Sequence, residues 1–227
     1  MDWKLLKMKN KINIIYEDNH VLVVEKPINI GVQEDSSNDE DLLNILKGYL
    51  KEKYNKPGNV YLGLVHRLDR PASGIMVFAK TSKAASRLST QVRDNKFNKI
   101  YNAVVMNKIN DSGHLEDYLV KDTKKNIVKV SKEGKLAILD YKRLDYKNNM
   151  SLVEIKLKTG RSHQIRVQFS HNGNPLYGDQ KYNKNAKVGQ QLALFAKKLE
   201  FYHPVTKELL SFELDLPDRK PFNLFKE

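Results

Sequence analysis

The chain has 227 residues and no cysteine, and its 40 lysine and arginine residues outnumber its 27 aspartate and glutamate residues, which gives a formal net charge of +13. The lack of cysteine excludes disulfides and thiolate chemistry. The positive excess favours a polyanionic partner such as RNA, although a basic surface can also serve solubility alone. Residues 1–13 are charged throughout and no apolar run could span a bilayer, so we expect a cytoplasmic protein without a signal peptide or membrane helix.

The first part of the chain predicts two strands followed by a helix. Residues 12–16 and 21–25 have strand-like character and are joined by the turn-forming run Asp18-Asn19-His20. A polar, acidic loop over 36–41 then ends in helix-capping residues. From residue 42 to residue 50, leucines and a tyrosine recur at helical spacing, which predicts an amphipathic helix.

The middle of the chain predicts a second helix and then a change to strands. Residues 82–94 fit a helix with Thr81 as its N-cap. Three later segments are rich in β-formers: 99–106, 137–146 and 151–158. No proline-, glycine- or serine-rich linker divides the chain. We therefore predict a single α/β (α+β) domain with a mostly antiparallel or mixed sheet.

The run His66-Arg67-Leu68-Asp69-Arg70-Pro71-Ala72-Ser73-Gly74 places one carboxylate between two guanidinium groups, after an apolar segment over 60–65. Arg67 and Arg70 should lower the pKa of Asp69 and keep it ionised. An anionic carboxylate in basic surroundings can meet a polyanion and act on it as a nucleophile or a base. The other interpretation of this run is a solvated Arg-Asp-Arg turn that closes two strands.

A second polar run, Thr159-Gly160-Arg161-Ser162-His163-Gln164-Ile165-Arg166, follows the last of the predicted strands. Its glycine permits a tight turn, and Ser162 can cap a short helix whose N-terminus would attract phosphate. On that helix His163 and Arg166 share a face, and Arg161 can bind a phosphate or a carboxylate through two hydrogen bonds. The alternative is an ordinary amphipathic helix whose polar residues lie in water.

These two runs, with Lys99-Ile100-Tyr101 between them, resemble the motifs of the RluA-type family of RNA pseudouridine synthases. Weaker similarities occur at 14–27, 173–179 and 203–206, so the resemblance extends over nearly the whole chain. The chain departs from the family's usual residues at four positions, which bear on loop geometry and RNA choice: Ala72, Gln168, Asn183 and Phe195.

The resemblance implies a central mixed, largely antiparallel sheet flanked by helices, with a short extension over 1–13 and a single catalytic domain over 14–227. It also implies conversion of selected uridines in rRNA or tRNA to pseudouridine, without a metal or an organic cofactor. It implies that Asp69 is the catalytic carboxylate, that Arg166 pairs with Asp69, and that Tyr101 stacks on the target base. Arg67 resembles the arginine that takes the place of the flipped base. The other residues expected to contact RNA are Arg70, Arg161 and His163.

The expected partner is a stem-loop of RNA, because a target uridine that is already poorly stacked is easier to extrude. The region before residue 14 is too short for the S4 RNA-binding domain that many relatives carry. We therefore expect substrate selection to rest on the catalytic domain, and we expect a monomer that binds no membrane.

Two other classes of function compete with an isomerase. An RNA-binding module without catalysis would be favoured by a missing aspartate, tyrosine or arginine in these motifs, and all three are present. A metal-dependent nuclease needs clustered carboxylates or histidines, whereas the six histidines are scattered along the chain.

A synthase must break the N-glycosidic bond, turn the uracil and rejoin it through carbon. In that reaction an ionised carboxylate attacks the sugar, stabilises its cationic character or removes a proton.

Overall fold

Strands dominate the computed structural model, which describes residues 12–35 and 39–226. The strands are β1 (Asn13–Glu17), β2 (Val21–Lys26), β3 (Gly63–Leu64), β4 (Ser73–Ala79), β5 (Asn98–Met106), β6 (Ser112–Asp122), β7 (Ile127–Val130), β8 (Lys135–Lys147), β9 (Met150–Leu157), β10 (Leu194–Tyr202) and β11 (Leu209–Glu213). The helices are α1 (Leu42–Lys53), α2 (Ser82–Arg93), α3 (Gln164–His171) and a 3-10 helix at Phe222–Phe225. The predicted fold class, a mixed and largely antiparallel sheet with helices, is confirmed.

The residues pack into two compact units. The first contains the described residues up to Phe97 together with Lys198–Leu214, and the second contains Asn98–Lys197 and the residues from Asp215 onward. Strand β10 belongs to both, because the boundary falls inside it. That residues 14–227 act as one catalytic domain stays a prediction.

In the first unit, β2 lies between β1 and β4, and all these pairings are antiparallel. The apolar residues that alternate along β2 and β4 form a core with the buried face of α2, to which Ala84 and Leu88 belong. Helix α2 begins where the sequence predicted, because the Thr81 hydroxyl accepts the amide hydrogen of Ala84 at 3.1 Å. The predicted loop before α1 lies partly outside the described residues, but its last residue, Asp41, caps that helix.

In the second unit, five strands lie in the order β5-β9-β8-β6-β7, and every pairing is antiparallel. Helix α3 contributes Val167 to a small core with Leu119, Val128 and Ala137. Six of the eight residues of α3 are buried, including its two glutamines and its arginine. The alternative of an amphipathic helix with its polar residues in water is therefore wrong. No helix in the described part of the chain is long and apolar enough to cross a membrane.

Candidate active-site residues

Asp69 lies on a turn that leads directly into the buried strand β4. The Asp69 carbonyl accepts the amide hydrogen of Ala72 at 3.0 Å, so Arg70 and Pro71 occupy the corner of the turn. Leu68, just before the turn, is buried. Because core packing flanks the turn on both sides, the position of the Asp69 backbone is set by the fold.

The glycine of this motif has a conformational role. Gly74 has a φ of 117°, which a residue with a side chain rarely adopts. It pairs in register with Lys26 at the end of β2. The Ser-Gly pair therefore determines how the chain enters β4 after the turn.

A buried ammonium group holds the Asp69 turn. The side chain of Lys26 is 0% exposed, and its Nζ atom donates to the carbonyls of Arg70 at 2.9 Å, Ala72 at 2.7 Å and Pro27 at 2.9 Å. These three bonds use all the hydrogens of an ammonium group. Burial lowers the pKa of Lys26 to about 7, which the charge of Asp69 opposes and that of Arg70 reinforces.

The flanking arginines have different surroundings. Arg67 is exposed. The guanidinium group of Arg70 binds the carboxylates of Asp39 at 2.6 Å and Asp35 at 3.3 Å, and these bonds raise the pKa of Arg70. The charge of Arg70 is thus shared with two acidic residues of the loop before α1. Its contact with RNA, like that of Arg67, stays a prediction.

The histidine of the first motif has a structural position. The Nε2 atom of His66 accepts the amide hydrogen of Val77 at 3.1 Å, so the neutral ring carries its proton on Nδ1. The ring also meets Phe97 edge to face, with 5.9 Å between centroids. His66 therefore ties the segment before Asp69 to strand β4.

In the second unit, Tyr101 lies in β5 opposite Ile155 of β9, and only 7% of it is exposed. Two residues earlier, burial lowers the pKa of Lys99. A Cβ atom at Gly160 would lie 3.6 Å from the Nζ atom of Lys99. The Lys-Ile-Tyr run and the Thr-Gly-Arg run, which are about sixty residues apart in the sequence, are therefore neighbours.

The turn before α3 is organised by Gln164, and the prediction that Ser162 caps this helix is wrong. The Oε1 atom of Gln164 accepts the Thr159 hydroxyl at 2.8 Å and the Arg161 amide at 3.0 Å, and its Nε2 atom donates to the carbonyl of Ile138 at 3.1 Å. Because one amide side chain satisfies the turn and joins it to β8, no serine cap is needed. The N-cap position is taken by His163, which has a φ of 51° and makes no capping bond through its side chain.

Arg166 is held by a buried carboxylate. Its Nε and Nη2 atoms donate to the Oδ2 and Oδ1 atoms of Asp179 at 2.8 and 2.7 Å. Arg166 is 5% exposed and Asp179 is 0% exposed. A bidentate pair of this kind fixes the plane of the guanidinium group as well as its position.

The predicted site residues fall into two groups. Arg67, Asp69 and Arg70 belong to the first unit, and the second unit brings together the predicted residues of the turn and of α3. In the second unit, Arg161 donates through Nε to the carbonyl of Leu136 at 2.8 Å. The pairing of Arg166 with Asp69 and the stacking of Tyr101 on a base stay predictions.

Sequence reasoning missed three residues that support this site: Lys26, Asp179 and Tyr182. Asp179 ends the run 173–179, which carries a weaker part of the family resemblance, so a signal existed for it, and Tyr182 follows three residues later. Lys26 is a lysine at the end of an otherwise apolar strand and before a proline, and that position gave the signal. Among the residues that the structure describes, no group of three or more histidine, cysteine, aspartate or glutamate side chains could hold a metal ion.

Comparison with protein families assigns a function class to this arrangement. A family model described as RNA pseudouridylate synthase matches residues 20–171, which include both the Asp69 turn and the whole of α3.

Individual relatives cover most of the chain. A protein of Zymomonas mobilis named ribosomal large subunit pseudouridine synthase D is 34% identical over 220 residues, which are 91% of this chain and 69% of that protein. A protein of Aquifex aeolicus named uncharacterized RNA pseudouridine synthase is 36% identical over 224 residues, with 91% and 70% coverage.

Solved structures share the fold. The structure of human RNA pseudouridylate synthase domain containing 4 matches with a TM-score of 0.80 and 23% identity, over 98% of this chain and 95% of that chain. The structure of human RNA pseudouridylate synthase domain containing 1 matches with a TM-score of 0.73 and 22% identity, over 90% and 83%. At these identities the two structures establish the fold alone.

Proposed function

This chain belongs to the RNA pseudouridylate synthase family, in its RluA-type branch, and we propose that its substrate is a uridine of large-subunit ribosomal RNA. It is an isomerase that converts uridine in RNA to pseudouridine. Relatives from several organisms that carry the name ribosomal large subunit pseudouridine synthase D support the choice of ribosomal over transfer RNA. The same relatives support a cytoplasmic location, where ribosomes are assembled in bacteria.

The observation that carries the catalytic assignment is the construction of the Asp69 turn. The turn is joined to β4, its carbonyls bind the buried Lys26, and Leu68 packs into the interior beside it. A carboxylate on so constrained a turn is held in one place before the substrate arrives, which is what a reaction at a sugar carbon requires. Asp69 would attack the sugar, stabilise its cationic character or remove a proton.

The other motif residues act around that carboxylate in this proposal. Arg166 would pair with Asp69 and keep it ionised and oriented, and its plane is already set by Asp179. Tyr101 would stack on the uracil and retain the detached ring while leaving it free to rotate. Arg67, which is exposed, would fill the space that the flipped base leaves.

We propose that RNA is held through phosphate contacts and selected by its shape. The net charge of +13 supports the first part, and Arg161 and His163, beside the N-terminus of α3, would contribute. Affinity should then fall with salt, with a log–log slope of about −0.7 per single-strand phosphate contact. A stem-loop should be modified faster than an unstructured oligonucleotide of the same local sequence, because extrusion of its target base costs less free energy. Equal rates on the two would contradict selection by shape.

The decisive experiment maps pseudouridines in total RNA from cells with and without this gene, and then restores the gene as wild type or as Asp69→Asn. We expect one or a few positions in large-subunit ribosomal RNA to lose the modification without the gene and to regain it only with the wild type. Loss at a transfer RNA position would overturn the proposed substrate. No change at any position would favour an RNA-binding module.

The expected monomeric state is a separate prediction, and light scattering of the purified protein tests it.

A further inference from the structure

Tyr182 contacts two of the predicted site residues at once. The Arg166 guanidinium carbon lies 5.1 Å from the centroid of the Tyr182 ring, over its face. The Tyr182 hydroxyl lies 2.6 Å from the Nδ1 atom of His163, and the two rings meet edge to face. None of the reaction roles above uses this tyrosine.

The Tyr182 hydroxyl lies between the backbone of β7 and the imidazole ring of His163. The hydroxyl oxygen accepts the amide hydrogen of Val128 at 2.9 Å, so its own hydrogen is available to the imidazole. Donation to Nδ1 places the proton of a neutral His163 ring on Nε2. This bond also holds a residue whose backbone is in the left-handed region, with a φ of 51°, at the start of α3.

The loop that carries Tyr182 is anchored to the same carboxylate as Arg166. The Oδ1 atom of Asp179 accepts the amide hydrogens of Lys181 at 3.0 Å and Tyr182 at 3.2 Å, in addition to the Arg166 bond. Asn183, one of the departures from the family pattern, donates through Nδ2 to the carbonyl of Leu176 at 3.0 Å. The same carboxylate therefore binds both the guanidinium group and the backbone of the residue that carries the tyrosine ring.

We propose that Tyr182 is a positioning residue for the isomerisation, because its ring face holds the guanidinium group of Arg166 and its hydroxyl orients His163. The guanidinium group lies over the face of the ring while Asp179 binds its Nε and Nη2 atoms, so two neighbours hold its position. This inference rests on the proposed function, from which Arg166 takes its role toward Asp69.

Two substitutions separate the ring from the hydroxyl. Tyr182→Leu removes both, and we expect kcat to fall about 10- to 100-fold, because a misplaced Arg166 affects the reacting state, together with the same rise in KM as in Tyr182→Phe. Tyr182→Phe keeps the ring, and we expect it to recover most of kcat while KM for RNA rises. Tyr202→Leu, which alters an exposed tyrosine of β10, is the matched control and should behave as wild type.

The role of the hydroxyl is tested by a double-mutant cycle and by NMR. The effects of His163→Ala and Tyr182→Phe on KM should not be additive, because each substitution breaks the same hydrogen bond. This cycle tests the role of the hydroxyl even if Tyr182→Leu does not fold. The imidazole nitrogen signals of His163 should show an Nε2-protonated ring in the wild type and lose that preference in Tyr182→Phe. Wild-type kcat in folded Tyr182→Leu, additive effects, or an unchanged His163 signal would overturn the inference. The NMR result does not depend on turnover, so it stands apart from a failure of the proposed substrate.

Discussion

The two units of this protein hold their motif residues by opposite means. In the first, a buried cation, Lys26, binds the backbone carbonyls of the turn that carries the carboxylate Asp69. In the second, a buried anion, Asp179, binds the side chain of the cation Arg166 directly. One support therefore acts on the path of the backbone, and the other acts on the orientation of a single side chain.

The two supports should also respond differently to pH. Burial brings the pKa of Lys26 to about 7, so its third hydrogen bond is lost when the ammonium group deprotonates near neutrality. An arginine keeps its charge over the whole physiological range. The difference indicates that the Asp69 turn is the support that titrates near neutral pH.

The largest expected effect leaves both supports intact. Asp69→Asn should fold and bind RNA as wild type does, because the substitution removes none of the hydrogen bonds by which Lys26 holds the turn or Asp179 holds Arg166. Pseudouridine formation should fall by at least about 1,000-fold, since the reacting carboxylate is gone. Turnover is measured on a ribosomal RNA fragment, with the exposed Asp218→Asn as a control for loss of one acidic charge. Near-wild-type turnover would move the catalytic role to another residue.

Asp179→Asn breaks the support in the second unit. The substitution removes the carboxylate charge of a buried ion pair and weakens both hydrogen bonds that Arg166 donates to it, so the free energy of unfolding should fall by about 3 to 5 kcal/mol. Urea denaturation measures this loss. The exposed pair of Lys147 and Asp145 provides the control, because Asp145→Asn should change stability by less than about 1 kcal/mol. Equal effects of the two substitutions would show that the Arg166 pair does not support the fold.

Lys26→Met breaks the support in the first unit, and its effect should depend on pH. The unfolded state binds more protons at Lys26 than the folded state between pH 7 and the ordinary pKa of 10.5, so the free energy of unfolding of the wild type should rise with pH in that window. The methionine variant lacks this rise. At pH 9 we expect the free energy of unfolding of the wild type to exceed that of Lys26→Met by about 2 kcal/mol. At pH 6 we expect the two free energies to be about equal.

Urea denaturation of both proteins at the two pH values checks this expectation, and Lys124→Met serves as the comparison for an exposed lysine. A difference in the free energy of unfolding that grows as the pH falls would contradict the lowered pKa of Lys26. Turnover of the wild type should also decline as pH rises through 7, because Lys26 then donates one hydrogen bond fewer.

Tyr101 belongs to neither support, and we expect its substitution to act on the binding of RNA. Tyr101→Phe keeps the ring and should bind RNA almost as wild type does, whereas Tyr101→Ala should lose about 1 to 3 kcal/mol of binding free energy through lost stacking. Fluorescence titration with a substrate stem-loop gives both dissociation constants. If the phenylalanine variant binds but does not turn over, the hydroxyl takes part in proton transfer.

Much of the fold could be predicted because the relevant interactions are local. The hydroxyl of Thr81 reaches an amide three residues away, and the alternation of apolar residues in β4 follows from the geometry of a strand. The prediction at Ser162 was wrong for the converse reason. Gln164 joins its turn to Ile138 of β8, and no local rule of helix capping contains that distant partner.

The same contrast applies to the site. The sequence by itself determined the residue types and their order: a carboxylate between arginines, a tyrosine in a strand, and an arginine on a short helix, which together carry the family resemblance. Only the tertiary structure decided what holds them, because Lys26 lies more than forty residues from the two carbonyls of the Asp69 turn that it binds and Asp179 lies thirteen residues from Arg166. Burial makes those contacts strong, and burial arises only when the chain is packed.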